Sequence, residues 1–343
     1  MKLFIYEYFA SGAMENHGDL KQLGFAMLDA VLKDFGNIPG LHLMTVLDVS
    51  LREAFARASY SQNVDVCWSN GSKDGTRQYE ETIMACQAVL IIAPEIAGIL
   101  AILTAIAERR GKIVLGSNSQ ALKIVCHKGD TLNLMKKNGL PVPKSQMYAK
   151  PFPQNMQAEI LNRFSFPFMV KPVYGAGGEG VRLIETGDQL DKAIEQLSRM
   201  EEDIFLFQEY ISGQAVSVSC FVLGGKALPL SLNRQNIKIQ DELVFQGITI
   251  PFVHDGSEEI MKTAVKACEG VQGLKGFVGV DLVVNAQGPV LMEINARPTM
   301  AYVALREVVS RNLAGELLAL CLENSLPEKL ELNGTYTYTL QPA

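Results

Sequence analysis

The stretch FMVKPVYGAGGEGV, residues 168–181, sets Lys171 inside an apolar run and follows it with Gly175, Gly177, Gly178 and Gly180. Both features are costly. A buried ammonium needs a partner, and clustered glycine raises the entropy lost on folding. An anion held jointly by backbone N–H groups and the lysine accounts for both. The loop fits G-x-G-x-x-G, a spacing that is weak by itself, because a dinucleotide-binding fold needs a helix straight after the glycines. Here VRLI (181–184) follows and reads as a returning strand, so the glycines cap a hairpin. No G-x-x-x-x-G-K-[ST] loop is present. Protein kinases place the lysine after the glycine loop and require an H-R-D triplet; Lys171 precedes the loop and that triplet is missing. The plainer alternative is a flexible hairpin with a snorkelling lysine.

A second constellation lies at 279–298, GVDLVVNAQGPVLMEINARP. Glu293 and Asn295 are two apart on a strand and share one face. With a turn at Ala286–Gly288, Asp281 stands directly across from Glu293. Two carboxylates and an amide oxygen then converge between apolar strands, where unpaired carboxylates repel and are desolvated. Mg²⁺ bridging phosphate oxygens removes that cost, and hard oxygen ligands are what it prefers. Arg297 follows and can fork onto phosphate or carboxylate oxygens. The alternative is an exposed hairpin with a Glu293–Arg297 ion pair, which the apolar alternation of PVLMEI argues against.

Around these motifs the chain changes character once. Residues 1–117 alternate strand-like runs (2–8, 41–48, 64–70, 88–94, 112–117) with helix-like runs such as 18–35 and 76–86, the pattern of a parallel α/β layer. A helical connector spans 119–140 and stops at GLPVPKS, where a glycine and two prolines forbid continuation. Beyond about 145 hairpins mix with helices, an α+β pattern. Strands are expected at 166–174, 181–186 and 204–211, and hairpins at 216–233 (turn Gly224-Gly225) and 279–295. Helices are expected at 186–200, with Thr186 and Gln189 spaced for a capping box, and at 257–274. The expected division is 1–117, 118–210 and 211–343.

Composition narrows the function classes. The 343 residues are 48% hydrophobic and 20% charged, an ordinary globular balance with length for two or three domains. A net charge of −6 gives no general attraction to nucleic acid or to anionic membranes. Six scattered cysteines without a C-x-x-C pair read as reduced core residues of a cytoplasmic protein, and four scattered histidines weaken a zinc reading. The N-terminus makes a poor signal peptide. The apolar stretch 88–107 is long enough to span a bilayer, but Pro94-Glu95 sits near its middle. A buried strand turning into a buried helix near Pro94 explains it better.

Taken in order, Lys128 before a helix, Lys171 before a glycine hairpin, FQEYISG (207–213), Asp281 and EINARP (293–298) resemble the ATP-grasp superfamily over roughly residues 110–310. The resemblance implies an ATP-grasp fold of two α+β subdomains behind an N-terminal α/β layer that helps bind substrate. It implies that Lys128 and Lys171 contact nucleotide phosphates under the glycine loop. It also implies that Gln208, Glu209, Tyr210 and Ile211 line the adenine through backbone groups, and that Asp281, Glu293 and Asn295 hold Mg²⁺, with Mn²⁺ as a substitute. Family members usually carry an acid for the ribose hydroxyls where this chain has Ala215, so either another group such as Gln214 or Glu209 takes that role or the ribose contact is weak. FIYEYFASG, APE (93–95), QEYISGQAVSVS and LSLNRQ (230–235) are most similar to the archaeal and methylotroph branch that includes tyramine–glutamate ligase of methanofuran-type cofactor biosynthesis.

The expected chemistry is ATP-dependent carboxylate–amine ligation through an acyl phosphate. Lys171 and Arg297 act on the reacting groups, and Asn233, Arg234 and Arg297 clamp an acidic substrate. Tyr6, Tyr8, Phe9 and Tyr174 are candidates for the flat wall of an aromatic-amine pocket. The partners are a small-molecule acid and amine and a second copy of the chain, with no nucleic acid and no membrane. A nucleotide-sensing module without turnover and an enzyme with a non-amine acceptor stand as alternatives.

Overall fold

The computed structural model describes residues 1–14, 18–71, 75–175, 177–178, 180–239 and 243–340. Three sheets follow one another along the chain. The first contains β1 (Lys2–Glu7), β2 (His42–Asp48), β3 (Val64–Ser69), β4 (Ala88–Ile92) and β5 (Ile113–Val114). It is parallel, in the order β3-β2-β1-β4-β5. Strand order reverses between β1 and β4, so the crevice at their carboxyl ends is where an open α/β sheet takes ligands. With it run α1 (Gly18–Gly36), α2 (Arg52–Ala56), α3 (Gly75–Met84) and α4 (Ile99–Arg109).

The apolar stretch 88–107 is a buried strand followed by a mostly buried helix, as expected, but the helix begins later than Pro94. Ala97 and Gly98 take positive φ (48° and 68°), which breaks the backbone before Ile99 and leaves Pro94 and Glu95 in a loop. Among the described residues no helix is long and apolar enough to cross a membrane.

The connector is two helices, α5 (Ser119–Val125) and α6 (Lys128–Lys137), and not one. His127 breaks the run by leaving helical φ/ψ and capping α6: its Nδ1 accepts from the Asp130 N–H. The second sheet is β6 (Ser145–Ala149), β7 (Phe168–Pro172), β8 (Arg182–Ile184) and β9 (Ile204–Glu209), antiparallel in the order β6-β9-β7-β8. With α7 (Met156–Arg163) and α8 (Gly187–Arg199) it encloses its own core around Phe168, Phe205 and Phe207. Thr186 caps α8 by accepting from the Gln189 N–H, while the Gln189 side chain accepts from the Glu185 N–H, one residue before the position a capping box uses.

The third sheet holds β10 (Gln214–Leu223), β11 (Lys226–Ile239), β12 (Leu243–Ile250), β13 (Gly276–Asn285), β14 (Gly288–Asn295) and β15 (Tyr336–Thr339), in the order β14-β13-β10-β11-β12-β15. Its helices are α9 (Ser257–Glu269), α10 (Met300–Leu305) and α11 (Leu313–Glu323). The β10–β11 turn is Gly224-Gly225, both at positive φ. Two larger apolar clusters join the first layer to the third sheet and its helices.

That junction also has a polar bolt. Asp34, near the end of α1, accepts from the Tyr302 hydroxyl (2.9 Å) and from Arg306 Nη2 (2.7 Å), and its backbone carbonyl accepts from Asn312 (2.8 Å). Asp34-Phe35-Gly36 has the D-F-G pattern that protein kinases use to hold metal, but here its aspartate serves an interface. Asp34→Ala leaves Tyr302 without its acceptor and Arg306 with Glu307 alone, at a cost of about 3 kcal/mol. Thermal unfolding should fall by several degrees, and Asp34→Asn should recover part of the loss; an unchanged melting temperature for Asp34→Ala would remove the bolt from the account.

Candidate active site

The three sheets enclose a cavity of about 650 Å³. Strand alternation decides what β7 contributes to it. Phe168 and Val170 pack into the core of the second sheet, while Met169 and Lys171 face the cavity. Lys171 is only 7% exposed. Burial pulls its ammonium down to about 8, with Glu293 and Asp281 opposing that pull and Lys128 adding to it. Lys128 is the first residue of α6; its Nζ donates to the Gly175 carbonyl and lies 3.4 Å from Glu293 Oε2. It therefore ties the glycine loop to the acidic hairpin.

Asp281 stands across from Glu293, as the sequence led us to expect, but by a different route. The turn is the two residues Ala286-Gln287, with Asn285 opposite Gly288. A bulge then inserts Met292 between the Leu282–Leu291 and Asp281–Glu293 pairs and restores the register. Asn295 Nδ2 donates to Asp281 Oδ2 (2.9 Å) and Glu293 Oε1 (3.3 Å), and Gln235 Nε2 donates to Asp281 Oδ1 (3.0 Å). Burial and the neighbouring Glu293 push the Asp281 carboxyl up. Burial also opposes ionisation of Glu293, but Lys128 and Lys171 overcome it and hold that carboxyl low.

Full ionisation of both acids therefore calls for a further cation. The donor set of two carboxylates and an amide, whose oxygen a flip would present, fits a hard divalent ion. Among the described residues no group of three His, Cys, Asp or Glu side chains has metal-holding geometry.

Arg297 does not pair with Glu293. Its Nε and Nη2 donate to Glu95 Oε1 (2.9 Å) and Oε2 (2.8 Å), a bidentate pair in which Glu95 is buried and the Arg297 side chain is 12% exposed. Burial opposes the guanidinium charge, but Glu95 outweighs it and raises Arg297 further. Glu95 leaves the loop after β4, so this pair fastens the first layer to the segment following β14.

Comparison with known proteins agrees with this architecture. The model of the ATP-grasp domain matches residues 125–301, and that of the pre ATP-grasp 3 domain matches residues 41–122. The chain belongs to the ATP-grasp family. It is 28% identical over 331 residues to tyramine–L-glutamate ligase of Methanocaldococcus jannaschii, covering 96% of this chain and 91% of that one. An ATP-grasp superfamily protein from Archaeoglobus fulgidus has the same fold, with a TM-score of 0.70 at 24% identity, covering 99% of this chain and 92% of that one. So does the biotin carboxylase domain of Hydrogenobacter thermophilus 2-oxoglutarate carboxylase, solved with MgADP, with a TM-score of 0.76 at 13% identity over 98% and 73% of the two chains.

Within the ATP-grasp cleft the expected residues separate. Lys128, Lys171, Gly175, Gly177, Gly178, Tyr210, Ile211, Asp281, Glu293, Asn295 and Arg297 all line it. Gly177 and Gly178 have positive φ, and a Cβ on Gly178 would come within 2.4 Å of the Leu243 carbonyl oxygen. Gly180 lies outside the lining, and its Cβ would meet the Pro172 ring.

Gln208 differs from expectation. Its backbone sits in the ladders to β6 and β7, while its fully buried side-chain amide has neither donor nor acceptor satisfied. Glu209 is exposed and accepts from the Lys144 N–H, which leaves Gln214 beside Ala215 in the lining.

The expected acid clamp is also corrected. Asn233 is fully buried and satisfied by Ser217, Ser219 and Ser231. Arg234 alternates to the other face of β11, exposed, 6.0 Å from the Phe252 ring. Gln235, one residue on, lines the cleft instead. Of the four aromatic candidates, Phe9 lines the cavity, whereas Tyr6 is buried against Phe4 and Tyr79. Sequence reading gave no role to Glu7 or Glu95 and named Gln235 only as a polar neighbour of Arg234; the pairing of distant segments reveals all three.

Glu95→Ala leaves the buried Arg297 guanidinium without its partner and should cost about 3–5 kcal/mol. Replacing both residues, Glu95→Leu with Arg297→Met, should recover much of that stability. A thermal-unfolding double-mutant cycle with a coupling below about 0.5 kcal/mol would refute the pairing.

Proposed function

We propose that this ATP-grasp chain is an ATP-dependent carboxylate–amine ligase that works through an acyl phosphate, joining glutamate to tyramine or a similar aromatic amine. The observation that carries the reading is the meeting, in one cleft, of Lys128, Lys171 and the glycine loop with Asp281, Glu293, Asn295 and Arg297. Two lysines and a loop of backbone N–H groups suit a triphosphate. The orphaned Gln208 amide lies outside the cleft lining but beside Met169, which is part of it, and would suit adenine, whose edge offers a donor and an acceptor side by side. Mg²⁺ held by Asp281, Glu293 and Asn295 would supply neutralisation of phosphate charge; Mn²⁺ satisfies the same oxygen donors.

The chain's own residues then position and stabilise. Lys128 and Lys171 offset negative charge on the phosphoryl group in transfer. Arg297, its Nε and Nη2 fixed by Glu95 and its Nη1 donating only a long bond (3.5 Å) to the Pro298 carbonyl, keeps a second Nη1 hydrogen for the oxyanion formed when an amine attacks the activated carbonyl. No covalent nucleophile of the protein is needed, and water is excluded by the glycine loop, which reaches Leu20 on α1 and Leu243 on β12.

For the division of labour we assign residues 1–117 to substrate, 118–210 to the phosphates and 211–343 to the metal. The free cysteines, five of them buried, accord with a reducing cytoplasm. Tyramine–L-glutamate ligase activity in the M. jannaschii relative supports the substrates. Ala215 in the cleft favours a second reading, a nucleotide-binding module without turnover; the intact acidic set opposes it.

The test is ADP release across a matrix of acids and amines. Glutamate with tyramine should exceed either substrate alone by at least tenfold, with ADP and phosphate as products. Lys171→Met should lower turnover by about 100-fold or more and abolish ATP-dependent thermal stabilisation. AMP and pyrophosphate would exclude the acyl-phosphate route, and nucleotide binding without turnover for any pair would favour the sensing module.

A further inference from the structure

One carboxyl in the cleft has no part in this chemistry. Glu7 ends β1, at the switch point between β1 and β4, and is 1% exposed. Its Oε2 accepts from the Ala10 N–H (2.6 Å). Among the described residues no cationic side chain forms an ion pair with it; the pair that Arg297 makes is with Glu95. Burial, partly offset by the Ala10 N–H and by the charge of Arg297, pushes Glu7 up to about 8.

The surroundings are apolar and specific. Leu20, Leu23 and Met27 recur on one face of α1 and line the cavity, as does Phe9. Between them is Gly24, where a Cβ would fall 2.3 Å from Glu7 Oε2. Glycine in mid-helix is unfavourable, and here it makes room for the carboxyl. A carboxylate under an apolar helix face calls for a ligand that brings one positive charge on an apolar body.

Building on the ligase reading, we propose that Glu7 receives the ammonium of the amine substrate, with Phe9, Leu20, Leu23 and Met27 holding its apolar body. The ammonium supplies the contact ion pair that Glu7 lacks, adding to the more distant charge of Arg297, and the amine is thereby oriented within the crevice that also contains Arg297. The competing source of the same chemistry is the α-ammonium of the acid substrate.

The experiment is steady-state kinetics of the full chain, varying ATP, glutamate and tyramine in turn, for wild type, Glu7→Gln, Glu7→Asp and Gly24→Ala. Glu7→Gln should raise the KM for tyramine at least tenfold, with the KM for glutamate and ATP within threefold of wild type. Glu7→Asp should recover part of the loss. Gly24→Ala keeps the charge but displaces it, and should raise the same KM. A selective rise in the glutamate KM would overturn the proposal in favour of the acid's ammonium, and an equal loss in all three would make Glu7 structural. If wild type turns over and every variant matches it, this proposal fails alone; if wild type shows no acid- and amine-dependent ADP release, the ligase reading itself fails.

Discussion

Charge compensation across the cleft is the constraint on which the structure depends. Lys171 lies between strands where its own burial works against its charge, while Glu293 and Asp281, facing it, work in its favour. Those carboxylates repel each other, and the hold of Lys128 and Lys171 on Glu293 keeps one of them ionised. None of these groups is stable alone in such a place. Lys128 comes from the connector, Lys171 from the second sheet, and the acids from the third. The site therefore exists only when separately built units are docked in register, which the apolar clusters, the Asp34–Arg306 bolt and the Glu95–Arg297 pair secure.

Much of this was legible in the chain. Alternation of strand and helix announced the first layer, and an apolar run broken by a lysine and glycines announced the β7–β8 hairpin. The two-residue spacing of Glu293 and Asn295 put both on one strand face. What escaped has physical causes. A bulge such as that at Met292 leaves no mark in the alternation, so the right Asp281–Glu293 pairing was reached from the wrong turn. Arg234 and Gln235 are neighbours, and a reading of β11 one residue out of phase exchanges the inward and outward side chains. Arg297 found its partner 202 positions away, in a loop whose left-handed residues no periodicity anticipates.

The conformational demands fall where the ligand would be. Gly177 and Gly178 combine positive φ with close approach to another element, and Gly24 yields its side-chain space to a carboxyl. The second sheet has a core of its own, but Leu206 of β9 and Val173 also pack with the connector helices and the other two sheets.

The most direct measurement is a crystal structure with a non-hydrolysable ATP analogue and Mg²⁺. The account predicts the phosphates between Lys128 and Lys171 beneath Gly177 and Gly178, adenine at the Gln208 amide, and the metal on Asp281, Glu293 and Asn295. A nucleotide bound outside this cleft, or a metal that avoids the Asp281–Glu293 pair, would contradict it.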